Sequence, residues 1–222
     1  MKKKISFLIS SLSSGGSENV CINIVNGLAK RGWNIDLICF DLKEKRSLKK
    51  ISKNINFINL DSHSSIMIFI KIFLYIRKKN IRHIFCFHYL IASQLVILKF
   101  ILNKKFKIIA RNNISLSKTE ENNYKEGFKK KIIFSLVKFL YPKVEFCISQ
   151  CKDMKLDLIN NYKFDRKKVK VIFNPVKYEI EKKSKNYKTK KDNVILLVGR
   201  LVKQKRHDIA IRLFSNILKI FS

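Results

Sequence analysis

Residues 194–214 read VILLVGRLVKQKRHDIAIRLF and join an apolar run, a glycine, a basic loop and an amphipathic segment. The run VILLV predicts a buried parallel strand, which Gly199 ends. Asp208 precedes the apolar positions of the last segment, which predicts a helix with this aspartate as its N-cap. A glycine between a strand and a helix start offers backbone N–H groups and a positive dipole end to an anion. Because Arg200 and Lys205 add two positive charges, the stretch predicts a binding site for a diphosphate. The alternative is a strand–helix turn with lysines on the surface and no ligand.

Upstream of this stretch, apolar runs alternate with helical patterns. Strands are predicted at 4–10, 35–40, 55–60, 84–87, 106–110, 144–149 and 169–173. Helices separate most of these strands, and this alternation is typical of a parallel, doubly wound sheet. The expected fold class is therefore α/β, with one complete Rossmann-like domain and the first strand–helix unit of a second.

The domain boundary is predicted at a charged segment without glycine or apolar pattern. We expect a Rossmann-like domain at 1–176, a linker at 177–193 and the incomplete start of a second domain at 194–222. A strand and a helix alone bury too little surface for an independent core.

The charge of the chain is extreme. Its 222 residues carry a formal net charge of +32, while 46% of them are hydrophobic, so a folded core is expected. Such a charge suggests anionic partners, but the lysines are spread along the chain, which indicates compositional drift as the main cause. No nucleic-acid-binding pattern occurs, and the basic residues are not interleaved with stacking aromatics, so nucleic acid is not expected as a partner.

The cysteines and the apolar runs indicate in which cell compartment the protein lies and whether it binds a metal. The five cysteines show no metal-ligand spacing, and most stand in apolar runs, which predicts buried thiols of a cytosolic protein with no metal and no cofactor. The apolar run after the N-terminal lysines is too short for a signal peptide, and no uncharged apolar run reaches about 18 residues. We expect a cytoplasmic protein that contacts the inner face of the cytoplasmic membrane peripherally.

Two candidate site elements follow strands of the predicted sheet. Gly15 and Gly16 lie between the first strand and its helix, where they let backbone N–H groups approach a phosphate or form only a tight turn. His88 lies at the carboxyl end of the fourth strand, where it lines a cleft or merely caps the following helix. Ligands bind such sheets at the carboxyl ends of the strands, so both elements are candidates.

A third element begins after the fifth strand. Arg111, Asn112 and Asn113 open the polar segment 111–131, which shows no periodicity until its end and predicts a long loop. Its basic residues could bind a lipid diphosphate or an anionic bilayer. A solvated surface loop without a ligand is an equally good interpretation.

Four motifs together resemble the retaining glycosyltransferases of family 4, which have the GT-B fold. They are G-R-L-V-x-Q-K-R-H-D at 199–208, G-G-x-E at 15–18, VEFCISQ at 144–150 and N-P-V at 174–176. The resemblance implies transfer of a sugar, with retention, from a UDP- or GDP-linked donor to a cell-envelope glycan or a lipid-linked acceptor. Members usually carry an acidic residue just after N-P-V, where this chain has Lys177.

The resemblance also implies that the domain at 1–176 is the acceptor side and that the domain beginning at 194 binds the nucleotide sugar. It implies roles for the candidate residues as well. Arg200 and Lys205 would stabilise the leaving diphosphate in place of a metal ion. Gly15 and Gly16 would hold the donor phosphate or the acceptor, and His88 would orient the reacting hydroxyl. The region that begins at 111 would receive the acceptor.

The second domain of the family continues well beyond the last residue of this sequence. We therefore expect a truncated member whose donor binding is weak or absent, and micromolar binding of a UDP-sugar in a calorimetric titration would contradict this. The alternative is an inactive remnant or a non-catalytic subunit that binds acceptor or membrane.

Overall fold

The computed structural model describes residues 3–13, 15–124, 127–175, 195–199, 201–202 and 205–221. The chain divides into two compact units, Met1–Val176 and Lys177–Ser222. The predicted linker lies outside the described residues, and the roles assigned to the two domains stay predictions.

The first unit contains a seven-stranded sheet in which every neighbouring pair is parallel, as predicted. The strand order is β3-β2-β1-β4-β5-β6-β7. The strands are β1 (Lys4–Ser11), β2 (Asn34–Asp41), β3 (Ile55–Asn59), β4 (His83–Cys86), β5 (Lys107–Asn112), β6 (Phe146–Ser149) and β7 (Val169–Val171).

Helices cover both faces of this sheet. They are α1 (Gly16–Lys30), α2 (Ser65–Lys78), α3 (Tyr89–Ile101), α4 (Leu116–Tyr124), α5 (Phe128–Leu140) and α6 (Lys152–Tyr162). Buried side chains of α1 belong to one apolar cluster, whereas those of α2, α3, α5 and α6 belong to the cluster on the other face. Because both faces of the sheet are buried, the strands are apolar at most positions and do not alternate between apolar and polar residues.

The cysteines follow the sequence-based expectation. Cys21, Cys39, Cys86 and Cys147 are buried free thiols, and Cys151 is half-buried. Burial raises the pKa of the Cys147 thiol to about 12, so this thiol stays protonated at neutral pH.

The prediction of a loop over 111–131 is wrong for the middle of this segment, which forms helix α4. Asp157 of α6 accepts hydrogen bonds from the backbone N–H groups of Leu116, at 2.9 Å, and Ser117, at 3.3 Å. This carboxylate satisfies two N–H groups that the first turn of a helix leaves without partners. The helix is therefore capped from a distant part of the chain, which its own sequence does not reveal.

The second unit contains α7 (His207–Phe221). The helix is predicted correctly, but Asp208 lies in its first turn and is not its N-cap. The predicted strand is not formed among the described residues 195–198, which are exposed and have no regular secondary structure. A strand persists only when its backbone groups pair with a neighbouring strand, and the described part of this unit offers none.

Candidate functional site

The strand order of the sheet reverses between β1 and β4, which pair in parallel and so end at the same edge. In open parallel sheets this reversal point, at the carboxyl ends of the strands, is the usual ligand crevice. Gly15 and Gly16 follow β1, and His88 lies two residues after β4. Arg111 and Asn113 lie at the end of the next strand. The structure therefore brings the candidates from the first unit to one edge.

The loop after β1 is shaped by Glu18. Its carboxylate accepts hydrogen bonds from the hydroxyls of Ser13, at 3.1 Å, and Ser11, at 3.4 Å. A Cβ atom at Gly15 would lie 2.3 Å from Glu18 Oε2, whereas a Cβ atom at Gly16 would meet nothing within 4 Å. A methyl group at position 15 would therefore displace the flexible Glu18 carboxylate, whereas a methyl group at position 16 has open space.

Gly15→Ala is expected to lower the free energy of unfolding by about 1 kcal/mol, because the new methyl group displaces the Glu18 carboxylate from two hydroxyls. Gly16→Ala is the matched control. It is expected to be neutral or to stabilise α1 by up to about 1 kcal/mol, since alanine is the better helix former. Chemical denaturation measures both changes, and equal effects would contradict this account of the loop.

His88 is held as a neutral hydrogen-bond donor. Its Nδ1 atom accepts from the backbone N–H of Leu90 at 3.2 Å, so the proton of the neutral ring is assigned to Nε2. Burial lowers the pKa of His88 to about 4, so the ring is uncharged at neutral pH. Nε2 makes no hydrogen bond to a described residue, which leaves this N–H able to donate to a ligand.

A chain of amide side chains joins the ends of four strands. Asn113 donates from Nδ2 to the carbonyl oxygen of Phe87, at 2.6 Å, and to the hydroxyl of Ser17, at 3.4 Å. Its Oδ1 atom accepts from Gln150 Nε2 at 3.3 Å, and Asn174 Nδ2 donates to Gln150 Oε1 at 3.2 Å. These bonds fix the positions of the segments that follow β4, β5, β6 and β7.

Arg111 and Asn112 differ from their predicted setting. Both are the last residues of β5 rather than the start of a loop, and Arg111 is only 2% exposed. Its Nη2 atom donates to Asn174 Oδ1 at 2.6 Å, and no carboxylate pairs with it among the described residues. Burial lowers the pKa of the Arg111 guanidinium. The described groups that hydrogen-bond to this cation are neutral.

Asn112 and Ser149 are register partners at the ends of β5 and β6. Both side chains are fully buried, and neither the amide of Asn112 nor the hydroxyl of Ser149 bonds to a described residue. Such atoms cost about 1–3 kcal/mol each relative to hydrogen-bonded ones. The strand ends thus retain polar groups where apolar side chains would be more stable.

Sequence reasoning missed three residues of this edge, namely Glu18, Gln150 and Asn174. Gln150 directly follows β6, and Asn174 lies three residues after β7. The rule that pointed to His88 therefore applies to both, because the carboxyl ends of parallel strands meet at one edge.

In the second unit, Gly199 and Lys205 lie close together. A Cβ atom at Gly199 would lie 3.5 Å from Lys205 Cγ and 3.3 Å from His207 Nε2, so glycine allows close packing there. Arg200 lies outside the described residues. The structure therefore places Gly199 close to Lys205, and the use of these two residues in binding a diphosphate stays a prediction.

Comparison with known proteins gives a consistent set of similarities. A family model described as Glycosyltransferase Family 4 matches residues 14–179. The chain is 28% identical, over 97% of its length, to N-acetylgalactosamine-N,N'-diacetylbacillosaminyl-diphospho-undecaprenol 4-alpha-N-acetylgalactosaminyltransferase of Campylobacter jejuni. It spans 60% of the length of that relative.

Solved structures share the fold at low sequence identity. The apo form of the lipopolysaccharide outer core galactosyltransferase WaaB aligns with 80% of this chain and 47% of its own, at a TM-score of 0.56 and 14% identity. Anabaena HepE in complex with UDP-glucose aligns with 78% of this chain and 44% of its own, at a TM-score of 0.56 and 16% identity. These neighbours are GT-B glycosyltransferases, so the fold is of the GT-B type.

Proposed function

Since the chain belongs to glycosyltransferase family 4, we propose that it transfers a sugar from a nucleotide-diphosphate sugar to a cell-envelope glycan or a lipid-linked acceptor, with retention of anomeric configuration. One observation carries this proposal: His88, the loop at Gly15 and Asn113 converge at the point where the strand order reverses. The Campylobacter relative, whose name includes an undecaprenol diphosphate, supports the lipid-linked acceptor. The neighbour with UDP-glucose supports a UDP-linked donor over a GDP-linked one.

The neutral ring of His88 has a specific part in this proposal. Its Nε2–H donates to an oxygen of the acceptor or of the transferred sugar and fixes the orientation of the reacting hydroxyl. Since Nε2 already carries a proton, His88 does not remove the proton of the acceptor. That proton passes to the departing phosphate on the same face of the sugar, which is compatible with retention.

Charge compensation is assigned to the second unit. Negative charge builds on the diphosphate as the glycosidic bond breaks, and Arg200 and Lys205 offset it. The carboxylate of Glu18, beside Gly15, repels a phosphate at that end of the loop. We therefore propose that the loop at Gly15 and Gly16 binds hydroxyl groups of the acceptor or of the sugar, and not the donor phosphate.

A lipid-linked acceptor also sets the location of the reaction. Its polyprenyl chain stays in the bilayer, so the protein must work at the membrane surface, on the cytoplasmic side where nucleotide sugars are made. Basic side chains attract it to anionic lipids there.

Since donor binding by the 222-residue chain is expected to be weak, the test is transfer by this chain at saturating concentrations of a panel of UDP- and GDP-linked sugars to a polyprenyl-diphosphate-linked glycan, followed by mass spectrometry. An α-linked product from an α-linked donor is expected, with a rate at least about tenfold lower for Lys205→Ala. Lys219→Ala, in the last turn of α7, is the charge-matched control. No transfer together with retained acceptor binding would overturn the enzyme proposal and favour the non-catalytic subunit.

The protonation state of His88 is testable without turnover. Because burial lowers its pKa to about 4, the imidazole is expected to stay neutral from pH 5 upward, and its NMR titration should have a midpoint near 4. His88→Asn identifies the signal and retains a good N-cap, so stability should change by less than about 1 kcal/mol. A midpoint near 6.5, the ordinary value, would contradict the assignment.

A further inference from the structure

Four hydrogen bonds in series connect the buried guanidinium of Arg111 to the backbone just after β4. Arg111 Nη2 donates to Asn174 Oδ1 at 2.6 Å, and Asn174 Nδ2 donates to Gln150 Oε1 at 3.2 Å. Gln150 Nε2 donates to Asn113 Oδ1 at 3.3 Å, and Asn113 Nδ2 donates to the carbonyl oxygen of Phe87 at 2.6 Å. We call the four donating side chains the amide relay.

All four bonds of the amide relay run in the same direction, and the groups at its two ends determine that direction. A guanidinium carries only donors, so it meets the oxygen of the first amide. A backbone carbonyl only accepts, so it meets the nitrogen of the last amide. Each of the three amides therefore has one orientation that satisfies both neighbours, with its oxygen toward Arg111 and its nitrogen toward Phe87.

The amide relay begins at a positive charge. Arg111 is 2% exposed, and its second hydrogen bond, to the carbonyl oxygen of Ile172, is long at 3.5 Å. No carboxylate compensates this cation among the described residues. A cation strengthens the first hydrogen bond, and each polarised amide strengthens the next one. The carbonyl oxygen of Phe87 thus accepts from the positive end of a line of aligned dipoles.

The last bond of the amide relay holds the peptide group that joins Phe87 to His88. On the other side of His88, α3 supplies the contacts. The Nδ1 atom of His88 accepts from the N–H of Leu90 at 3.2 Å, and its carbonyl oxygen accepts from the N–H of Ala92 at 3.0 Å. The ring is therefore oriented by α3, whereas the peptide before it is held by Asn113 from the neighbouring strand. Both sets of bonds determine where Nε2 lies.

We propose that the amide relay positions His88 for the transfer reaction and that Gln150 maintains its direction. The side chain of Gln150 accepts from one neighbour and donates to the other, which requires an amide. Gln150 is a positioning residue, since it acts on His88 through Asn113 and Phe87. The proposal rests on the proposed function, in which His88 donates to the reacting sugar or acceptor.

Two variants at position 150 separate the direction of the bonds from packing. Gln150→Glu keeps the shape of the side chain but replaces its donor with a second acceptor. The Asn113 amide then turns its nitrogen toward position 150 and its oxygen toward the Phe87 carbonyl, which breaks the bond to Phe87. Gln150→Leu removes two hydrogen bonds but lets Asn113 continue to donate to Phe87. The glutamate variant is therefore expected to be the more damaging one, whereas a role in stability alone predicts the opposite order.

The experiment compares transfer kinetics and the backbone carbonyl signal of Phe87 in 13C NMR between the 222-residue chain and these variants. At saturating donor, Gln150→Glu is expected to lower kcat at least about tenfold and to change the KM for the acceptor less than about threefold, because the substrate binds while the donor group is misplaced. The Phe87 carbonyl signal should move upfield, since it loses a hydrogen bond. Both changes should be smaller in Gln150→Leu.

Gln94→Glu is the matched control, because Gln94 is also half-buried and lies on α3 outside the amide relay. It adds the same charge and is expected to leave the rate and the Phe87 signal as in the wild type. Asn113→Asp places a carboxylate oxygen against the Phe87 carbonyl and should give the same upfield movement, which tests the relay independently of position 150. Circular dichroism checks that each variant is folded.

Two results would overturn the proposal. One is a Phe87 signal that stays unchanged in Gln150→Glu or Asn113→Asp, and the other is a larger loss of kcat in Gln150→Leu than in Gln150→Glu. A wild-type chain that transfers no sugar would instead contradict the proposed function. The Phe87 signal then still decides whether the amide relay holds the peptide before His88.

Discussion

Replacing Asp36 with alanine is expected to lower the free energy of unfolding by about 3 kcal/mol, a large part of the stability of a domain of this size. Asp36 lies in β2 and is 3% exposed. Its carboxylate accepts hydrogen bonds from the hydroxyl of Tyr75, at 2.6 Å, and the amide of Asn56, at 2.8 Å, and it pairs with Lys4 at 3.2 Å. One carboxylate thus ties β1, β3 and α2 to β2.

The pH dependence of this effect has a definite sign. Burial alone would raise the pKa of Asp36, but the hydrogen bonds from Tyr75, Asn56 and Lys4 outweigh it, and the pKa is lowered. A lowered pKa in the folded state means that the stabilisation is complete above the unfolded pKa of about 3.9. It is lost as the pH falls through the folded value. The difference between wild type and Asp36→Ala should therefore be constant from pH 7 to 5 and shrink in stronger acid.

The control for the Asp36 experiment is Asp41→Ala, which removes the same charge from a strongly basic chain. Asp41 ends β2, and among the described residues its carboxylate forms an ion pair only with the exposed His63, at 3.5 Å. It is expected to contribute less than about 1 kcal/mol. Urea denaturation across the pH range measures both variants. Similar losses for the two would mean that general charge repulsion, and not the buried network, dominates.

Replacing Arg111 with methionine is expected to leave the free energy of unfolding within about 1 kcal/mol, whereas Arg111→Ala should lower it by about 2–4 kcal/mol. Methionine fills much of the volume of the buried side chain and removes the cost of burying a charge that has no carboxylate partner among the described residues. Asn174, which accepts from Arg111 at 2.6 Å, is exposed, so its oxygen is hydrated in the variant. Alanine instead leaves a cavity.

The same methionine variant separates stability from binding. If the Arg111 cation serves the acceptor diphosphate, Arg111→Met should lose binding of a polyprenyl diphosphate while its melting temperature is kept. Arg31→Met, at the exposed end of α1, removes the same charge far from β5 and should retain binding. A methionine variant that unfolds as easily as the alanine variant would show that Arg111 is needed for the fold through its hydrogen bonds.

Much of the candidate site was predictable from the sequence. Strand ends and the sheet type together predicted that Gly15, His88 and Asn113 meet at one edge, because parallel strands end on the same side. The state of these residues was not predictable. The neutral donor form of His88 depends on its burial and on the N–H of Leu90, and the limited space at Gly15 depends on the folded-back Glu18.

The sequence alone determined the parallel, doubly wound sheet and the family of the chain. Strands buried on both faces are apolar at most positions, and the family motifs are local in sequence, so both features can be detected without a structure. Only the tertiary structure decided the existence of α4 and the burial of Arg111 in β5. The first depends on Asp157, which lies on another helix, and the second on a hydrogen bond from Arg111 to Asn174 across 63 residues. Contacts between such distant residues leave no periodic pattern in the segments that make them.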